Sequence, residues 1–148
     1  MKRHPSLAHL SREHHPALIL ARLLQKDAPA YKGLPTDIDG KVTYALKFYK
    51  EQLLSHFEEE EKVLKLVTGT NEELDLLVQT IFREHEQLHE SFTLISNHQD
   101  VAGYIDKLGR ALENHIRKEE RELFPLIQQS CSEGVMIEID KSLSSANN

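Results

Sequence analysis

Four stretches of this chain carry apolar residues at the alternating four-and-three spacing of a helix seam, and histidine or glutamate breaks every one of those seams. The first runs Leu7, Leu10, His14, Ala17, Ala21 and Leu24. The second runs Val42, Leu46, Tyr49, Leu53, His56, Glu60, Val63 and Val67. The third is Leu74, Val78, Ile81, His85, Leu88, Phe92 and Ile95, with His89 one turn beyond His85 on the same face. The fourth is Val101, Ile105, Leu108, Leu112, His115 and Glu119, before the register turns polar at Glu122. An imidazole or carboxylate buried alone among such neighbours is very costly, so the polar positions must find one another.

Six glycines and five prolines lie between these stretches instead of punctuating short alternating runs, which predicts an all-α chain. A first helix is expected from Ser11, or from Ser6, to about Lys26, with Pro16 as a kink or a sign of the later start. Residues 26–40, KDAPAYKGLPTDIDG, read as a loop. A second helix is expected from Asp39 to Val67, stopped by Gly69. A third follows a Thr70–Glu73 capping box and fades near Ser96 to Gln99. A fourth runs from Asp100 to about Gln129, with Pro125 bending its last turn. The economical arrangement is an antiparallel up-down-up-down four-helix bundle over residues 1–130. Residues 131–148 are expected to be a tail, whose VMIEI segment docks or pairs as a strand and whose SLSSANN end has disordered composition. In that bundle His14, His56, His85 and His115 fall at one depth.

Composition narrows the function. The chain has 148 residues, enough for one domain and no attached output domain, and a net charge of -6 with no basic block to track a phosphate backbone. Neither nucleic acid nor membrane is an expected partner, since no apolar run spans a bilayer, and the N-terminus MKRHPSLAHLSREHH lacks a signal-peptide core. The expected location is cytoplasmic. The single cysteine, Cys131, excludes an internal disulfide and a multi-cysteine metal site. Nine histidines, in a chain without tryptophan, then stand out.

His56 with Glu60, His85 with His89, and His115 with Glu119 are i, i+4 pairs, each projecting from one helix face. Five imidazoles and two carboxylates exceed what one tetrahedral zinc needs, and a carboxylate can bridge two cations. A site of two metals sharing Glu60 and Glu119 fits best. His14 lies on the seam, whereas His15 points nearer Ser11 and Arg22; His9 is a third choice. Glu58, Glu59 and Glu61 read as a hydrated face. Tyr49 reads as a core aromatic or as a hydroxyl near a metal-bound ligand, and Leu53, Leu88, Phe92 and Leu112 as the apolar wall.

A histidine in the first helix, HFEEE in the second, HEQLH in the third and HIRKE in the fourth together resemble the hemerythrin-like, HHE cation-binding family over roughly residues 6–127. The resemblance implies two iron ions, although zinc or manganese suits the same donors. His85, His89 and His115 would hold one ion, His14 and His56 the other, and Glu60 and Glu119 would bridge them. The second ion would keep a position open for O2 or a related small ligand. Oxygen-carrying hemerythrins place an aspartate five residues after the last histidine, whereas Glu119 here follows four after His115. That form is similar to bacterial HHE proteins and to iron–sulfur repair di-iron proteins, whose cysteine-containing N-terminal region has no counterpart in this sequence.

The leading expectation is a non-haem di-iron protein for O2 carriage, storage or sensing, monomeric or weakly oligomeric. The rivals are a di-iron enzyme reducing peroxide or NO, or repairing clusters, with an unknown protein redox partner, and a zinc-bound or structural helical module.

Overall fold

The computed structural model describes residues 2–146, and among them all regular structure is helical. The elements are α1 (Pro5–Leu23), α2 (Ile38–Phe48), α3 (Leu54–Val67), α4 (Glu72–Thr93), α5 (Val101–Lys118), α6 (Phe124–Ser130) and α7 (Glu133–Ala146). Two π-helical turns, Tyr49–Leu53 and Glu119–Leu123, join α2 to α3 and α5 to α6 as continuous rods.

The helix starts follow local capping chemistry, with two corrections to the sequence reading. α1 begins at Pro5, where a missing N–H costs nothing, and His4 Nδ1 accepts from Ser6 N at 3.1 Å. Ser11 therefore lies inside the helix, as does Pro16, whose lost bond falls where Arg12 and His15 face solvent. The cap of α4 is Asn71, not Thr70: Asn71 Oδ1 accepts from Leu74 N at 2.9 Å, while the Thr70 hydroxyl donates backward to Val67 O. Asp37 and Asp100 cap α2 and α5. Gly69, at φ +90°, ends α3 in a conformation only glycine adopts readily.

The π turns explain where the seam reading drifts. A π turn inserts one residue, so the line drawn back from Leu53 through Leu46 and Val42 misses: Phe48 and Ala45 are buried, and Leu46 and Val42 only partly so. At the other turn the inward line passes the exposed Glu122 and resumes at Leu123, Phe124 and Ile127. The break in α-helical geometry is this π turn, and Pro125 sits in the first turn of α6.

Residues 133–146 correct the expected tail. They form α7, whose Met136, Ile139 and Leu143 are buried against Leu7, Leu10, Val63, Leu64 and Val67. The Ser6 hydroxyl donates to Met136 O at 2.8 Å. VMIEI docks, but as helix, because its apolar residues recur at three and four. Of the segment expected to be disordered, residues 142–146 are helical, and Asn147 and Asn148 lie outside the described residues.

Side-chain contacts fix how the rods lie. Arg3, before α1, donates to Glu120 O and to Gln128 of α6, whereas Lys26, past its end, donates its N–H to Asp106 in α5. Between these ties Gly109 brings α5 hard against α1: a Cβ there would stand 2.4 Å from Ala21 O. The Tyr104 hydroxyl donates to Ser91 O at 2.6 Å, tying α5 to α4. The core is divided in two. One cluster holds Ala17, Leu20, Phe57, Leu88, Phe92 and Leu112; the other holds Leu7, Leu10, Val63, Ile81, Leu123 and Ile127. His14, Glu60, His85 and Glu119 fall between them along their helices. No helix among the described residues is long and apolar enough to cross a membrane.

Gly109→Ala tests the close approach. Helix propensity favours alanine by ~1 kcal/mol, but the added methyl must push two helices apart, which costs about 1–3 kcal/mol. Denaturant unfolding should show a net loss of stability; a gain would contradict the packing.

Candidate metal centre

The layer between the two clusters is polar because each helix contributes there a side chain that its seam position turns inward. His14 comes from α1, His56 and Glu60 from α3, His85 from α4, and His115 from α5, with Glu119 opening the π turn that follows. All six are between 0 and 4% exposed. Their imidazole Nε2 atoms converge on the two carboxylates. Glu60 Oε2 stands 3.2 Å from His14 Nε2 and 3.1 Å from His56 Nε2, while its other oxygen, Oε1, stands 3.1 Å from His85 Nε2. Glu119 Oε1 stands 3.2 Å from both His14 Nε2 and His115 Nε2. The donors fall into two overlapping groups, His14–His56–Glu60–Glu119 and Glu60–His85–His115–Glu119, each with its ligand atoms within 4.8 Å of one another. The two carboxylates are common to both.

The far side of each ring is held as well. His14 Nδ1 pairs with Glu120 (3.1 Å), His56 Nδ1 with Glu13 (2.9 Å), His85 Nδ1 with Glu61 (2.9 Å) and His115 Nδ1 with Glu84 (2.8 Å). Each outer glutamate is the chain neighbour of an inner residue and reaches to the next rod, so the four bonds close a ring: α1 to α3, α3 to α4, α4 to α5, and the π turn after α5 back to α1. Ser11 donates to Glu120, and Lys118 donates to Glu84. A carboxylate that accepts Nδ1–H leaves the Nε2 lone pair to face inward, the tautomer a metal requires.

The arrangement fits a cation. Both oxygens of Glu119 and the Nε2 of His115 are sealed from solvent without a hydrogen-bond partner, a state that buried polar atoms rarely hold. Ligands ~2.1 Å from one ion in tetrahedral array lie about 3.4 Å apart, close to the separations found here. Without a cation the imidazoles carry the compensating charge. For His14, burial opposes protonation, but Glu119, Glu120 and Glu60 outweigh it and raise its pKa to about 12. Burial likewise opposes protonation of His115 and His56, yet Glu119 carries His115 to about 10 and Glu60 carries His56 to about 9. Burial also works against the charged Glu60, and the imidazoles of His56, His14 and His85 overcome it, holding the carboxyl well below its usual range.

Six of the seven residues singled out in the sequence meet in this layer. The seventh, His89, stands outside both groups: its Nδ1 is 2.6 Å from the Tyr49 hydroxyl, and its ring packs edge-on to Phe57. His15 is exposed, and His14 is the ring turned inward. Sequence reasoning missed Glu13, Glu61, Glu84 and Glu120, and set Glu61 on a hydrated face along with Glu59, which is buried. Glu58 alone of those three is exposed. The available signal was an acidic residue directly beside four of the six inward ones, His14, Glu60, His85 and Glu119.

The family model described as Hemerythrin HHE cation binding domain matches residues 5–127, from the start of α1 into α6. Comparison with curated proteins and with solved structures gives no match.

Glu61→Gln and Glu84→Gln keep the side-chain size but weaken the hold on His85 and His115. Each should lower affinity for a divalent cation by about 10–100-fold in a competition titration, with helical content unchanged. Unaltered affinity would remove the outer glutamates from the site.

Proposed function

The chain belongs to the hemerythrin HHE cation-binding domain family, and from that membership we propose a non-haem di-iron protein, folded as an antiparallel up-down-up-down four-helix bundle, that binds O2 or a related small ligand. The observation that carries the reading is the division of Glu60: one oxygen faces His14 and His56, the other His85, as a carboxylate between two cations must. Six carboxylates, two inner and four outer, surround four imidazoles, and two divalent cations would offset that excess of negative charge.

In this reading His14 and His56 would hold one ion, His85 and His115 the other, and Glu60 and Glu119 would be shared. His89, hydrogen-bonded to Tyr49, would add a third imidazole to the second ion. Two ferrous ions would supply the electrons and the open position that O2 binding needs. The chain supplies everything around them. Glu13, Glu61, Glu84 and Glu120 fix the rings. Phe57 stacks on His85 with centroids 4.3 Å apart, and Phe124 lies parallel to His14 at 5.7 Å. Leu53, Leu88, Phe92 and Leu112 are buried beside the layer and keep water and protons from it. Carriage, storage and sensing share this machinery. The alternative, reduction of peroxide or NO with electrons from a protein partner, draws support from the Tyr49 hydroxyl hydrogen-bonded to His89; sustained turnover with a donor, lost in Tyr49→Phe, would favour it.

Anaerobic loading with Fe(II), followed by air and then argon, tests the proposal. An absorption band that forms in air and fades under argon is expected for reversible O2 binding; a permanent ferric spectrum favours the redox alternative, and no change rejects both. His56→Ala or Glu60→Ala should lose at least one iron, and retention of two would sink the ligand assignment.

The raised imidazole pKa values add a second check. In the metal-free chain a proton on His56 stabilises the fold fully below about 6.5, and that contribution fades as pH rises through about 9, with His115 following through about 10. Metal binding replaces these protons. Loading should therefore acidify a weakly buffered solution, and should raise the melting temperature more at pH 9 than at pH 7.

A further inference from the structure

Outside the buried layer, on the surface shared by α1 and α3, stands a second set of donors. His9 Nε2 lies 3.3 Å from Glu59 Oε2 and 3.5 Å from Glu13 Oε2, and all three groups lie within 4.8 Å of one another. His9 and Glu13 are one helical turn apart on α1, and Glu59 comes from α3, so rigid elements hold the set. Glu59 is only 9% exposed, and neither its Oε2 nor His9 Nε2 has a hydrogen-bond partner, although both atoms are sealed from solvent. An ordinary histidine–glutamate pair would close the 3.3 Å gap with a well-aligned hydrogen bond. These atoms instead stand close together without a hydrogen bond between them.

We propose that His9, Glu13 and Glu59 form a third cation site, separate from the buried centre, that takes a divalent first-row transition metal. The separations of 3.3 and 3.5 Å suit ligands held ~2.1 Å from one tetrahedral ion, about 3.4 Å apart. The donor set selects the class: an imidazole favours zinc, iron or cobalt over magnesium or calcium, and two carboxylates neutralise a double charge. The ligating atoms of His9 and Glu59 are sealed, so water would complete the ion's shell from the side of Glu13, which is about one-third exposed. Glu13 makes the site a neighbour of the centre. Its Oε2 faces His9, and its Oε1 accepts the Nδ1–H of His56.

Equilibrium dialysis of the full chain against Co(II) without oxygen, with metal per chain measured by mass spectrometry, decides the matter. His9→Ala and Glu59→Gln leave the buried layer untouched, and alanine suits the exposed side of α1. Both variants should bind one ion fewer per chain than the parent while circular dichroism stays the same. Equal stoichiometry in either variant overturns the site. The comparison stands apart from the centre: if the buried layer takes fewer ions than two, the parent total falls, but the difference of one remains. In the converse variant, His14→Ala with His115→Ala, the outer ion should persist.

Discussion

The doubly held imidazole is the interaction on which the rest of this structure depends. Each of four histidines has a carboxylate on its inner nitrogen side and another on its outer one, and the outer bonds run from rod to rod until they close on the first. A single buried imidazole or carboxylate would be expelled or neutralised. Arranged as a closed ring, every polar group in the layer has a neighbour of opposite character, and each helix pair is tied at the same depth. The atoms the ring leaves over, on Glu119 and His115, face inward, where a cation belongs.

The packing on either side of the layer keeps it dry and in register. One apolar cluster closes it from the Phe92 and Leu112 side, the other from the Leu10 and Val63 side, and α7 covers the second cluster with Met136, Ile139 and Leu143. Close contact at Gly109 sets the distance between α1 and α5, which fixes how near His14 comes to Glu119. The π turn beginning at Glu119 lets the same rod present a carboxylate to the layer and then return Leu123, Phe124 and Ile127 to the core. Such a turn is weaker than α-helix and tends to survive where a site needs the altered direction. The outer glutamates extend the polar layer to the surface, and Glu13 links it to the donors at His9 and Glu59.

Much of the fold and of the layer was legible in the amino-acid order. The third seam is buried at every position from Leu74 to Ile95, and the first at every position from Leu7 to Leu24, because all but the last residue of each lie on uninterrupted α-helix where the spacing rule applies. The rule fails where the helix is not α: Val42 and Leu46 fall one residue out of phase beyond the π turn. Caps were less legible, since Thr70 and Asn71 are equally suitable by type, and only the path of the backbone chooses Asn71. The α7 helix is not legible as one because fourteen residues ending in a serine-rich stretch are too few to be stably helical alone, and their helix rests on burial against α1 and α3.

The sequence by itself determined that the chain is helical, that four seams each carry metal-compatible side chains, and that His14, not His15, lies on the inward line. Those are properties of periodicity, which a helix preserves without knowing its neighbours. Only the tertiary structure decided which carboxylate each imidazole meets, that Glu60 turns one oxygen to each side, that Glu61 and Glu59 leave the hydrated face, and that His89 stands beside Tyr49 outside the two groups. Those depend on the rotation and spacing of one rod against another, set by side-chain packing and by turns such as the π turn, and local spacing along the chain carries no record of them.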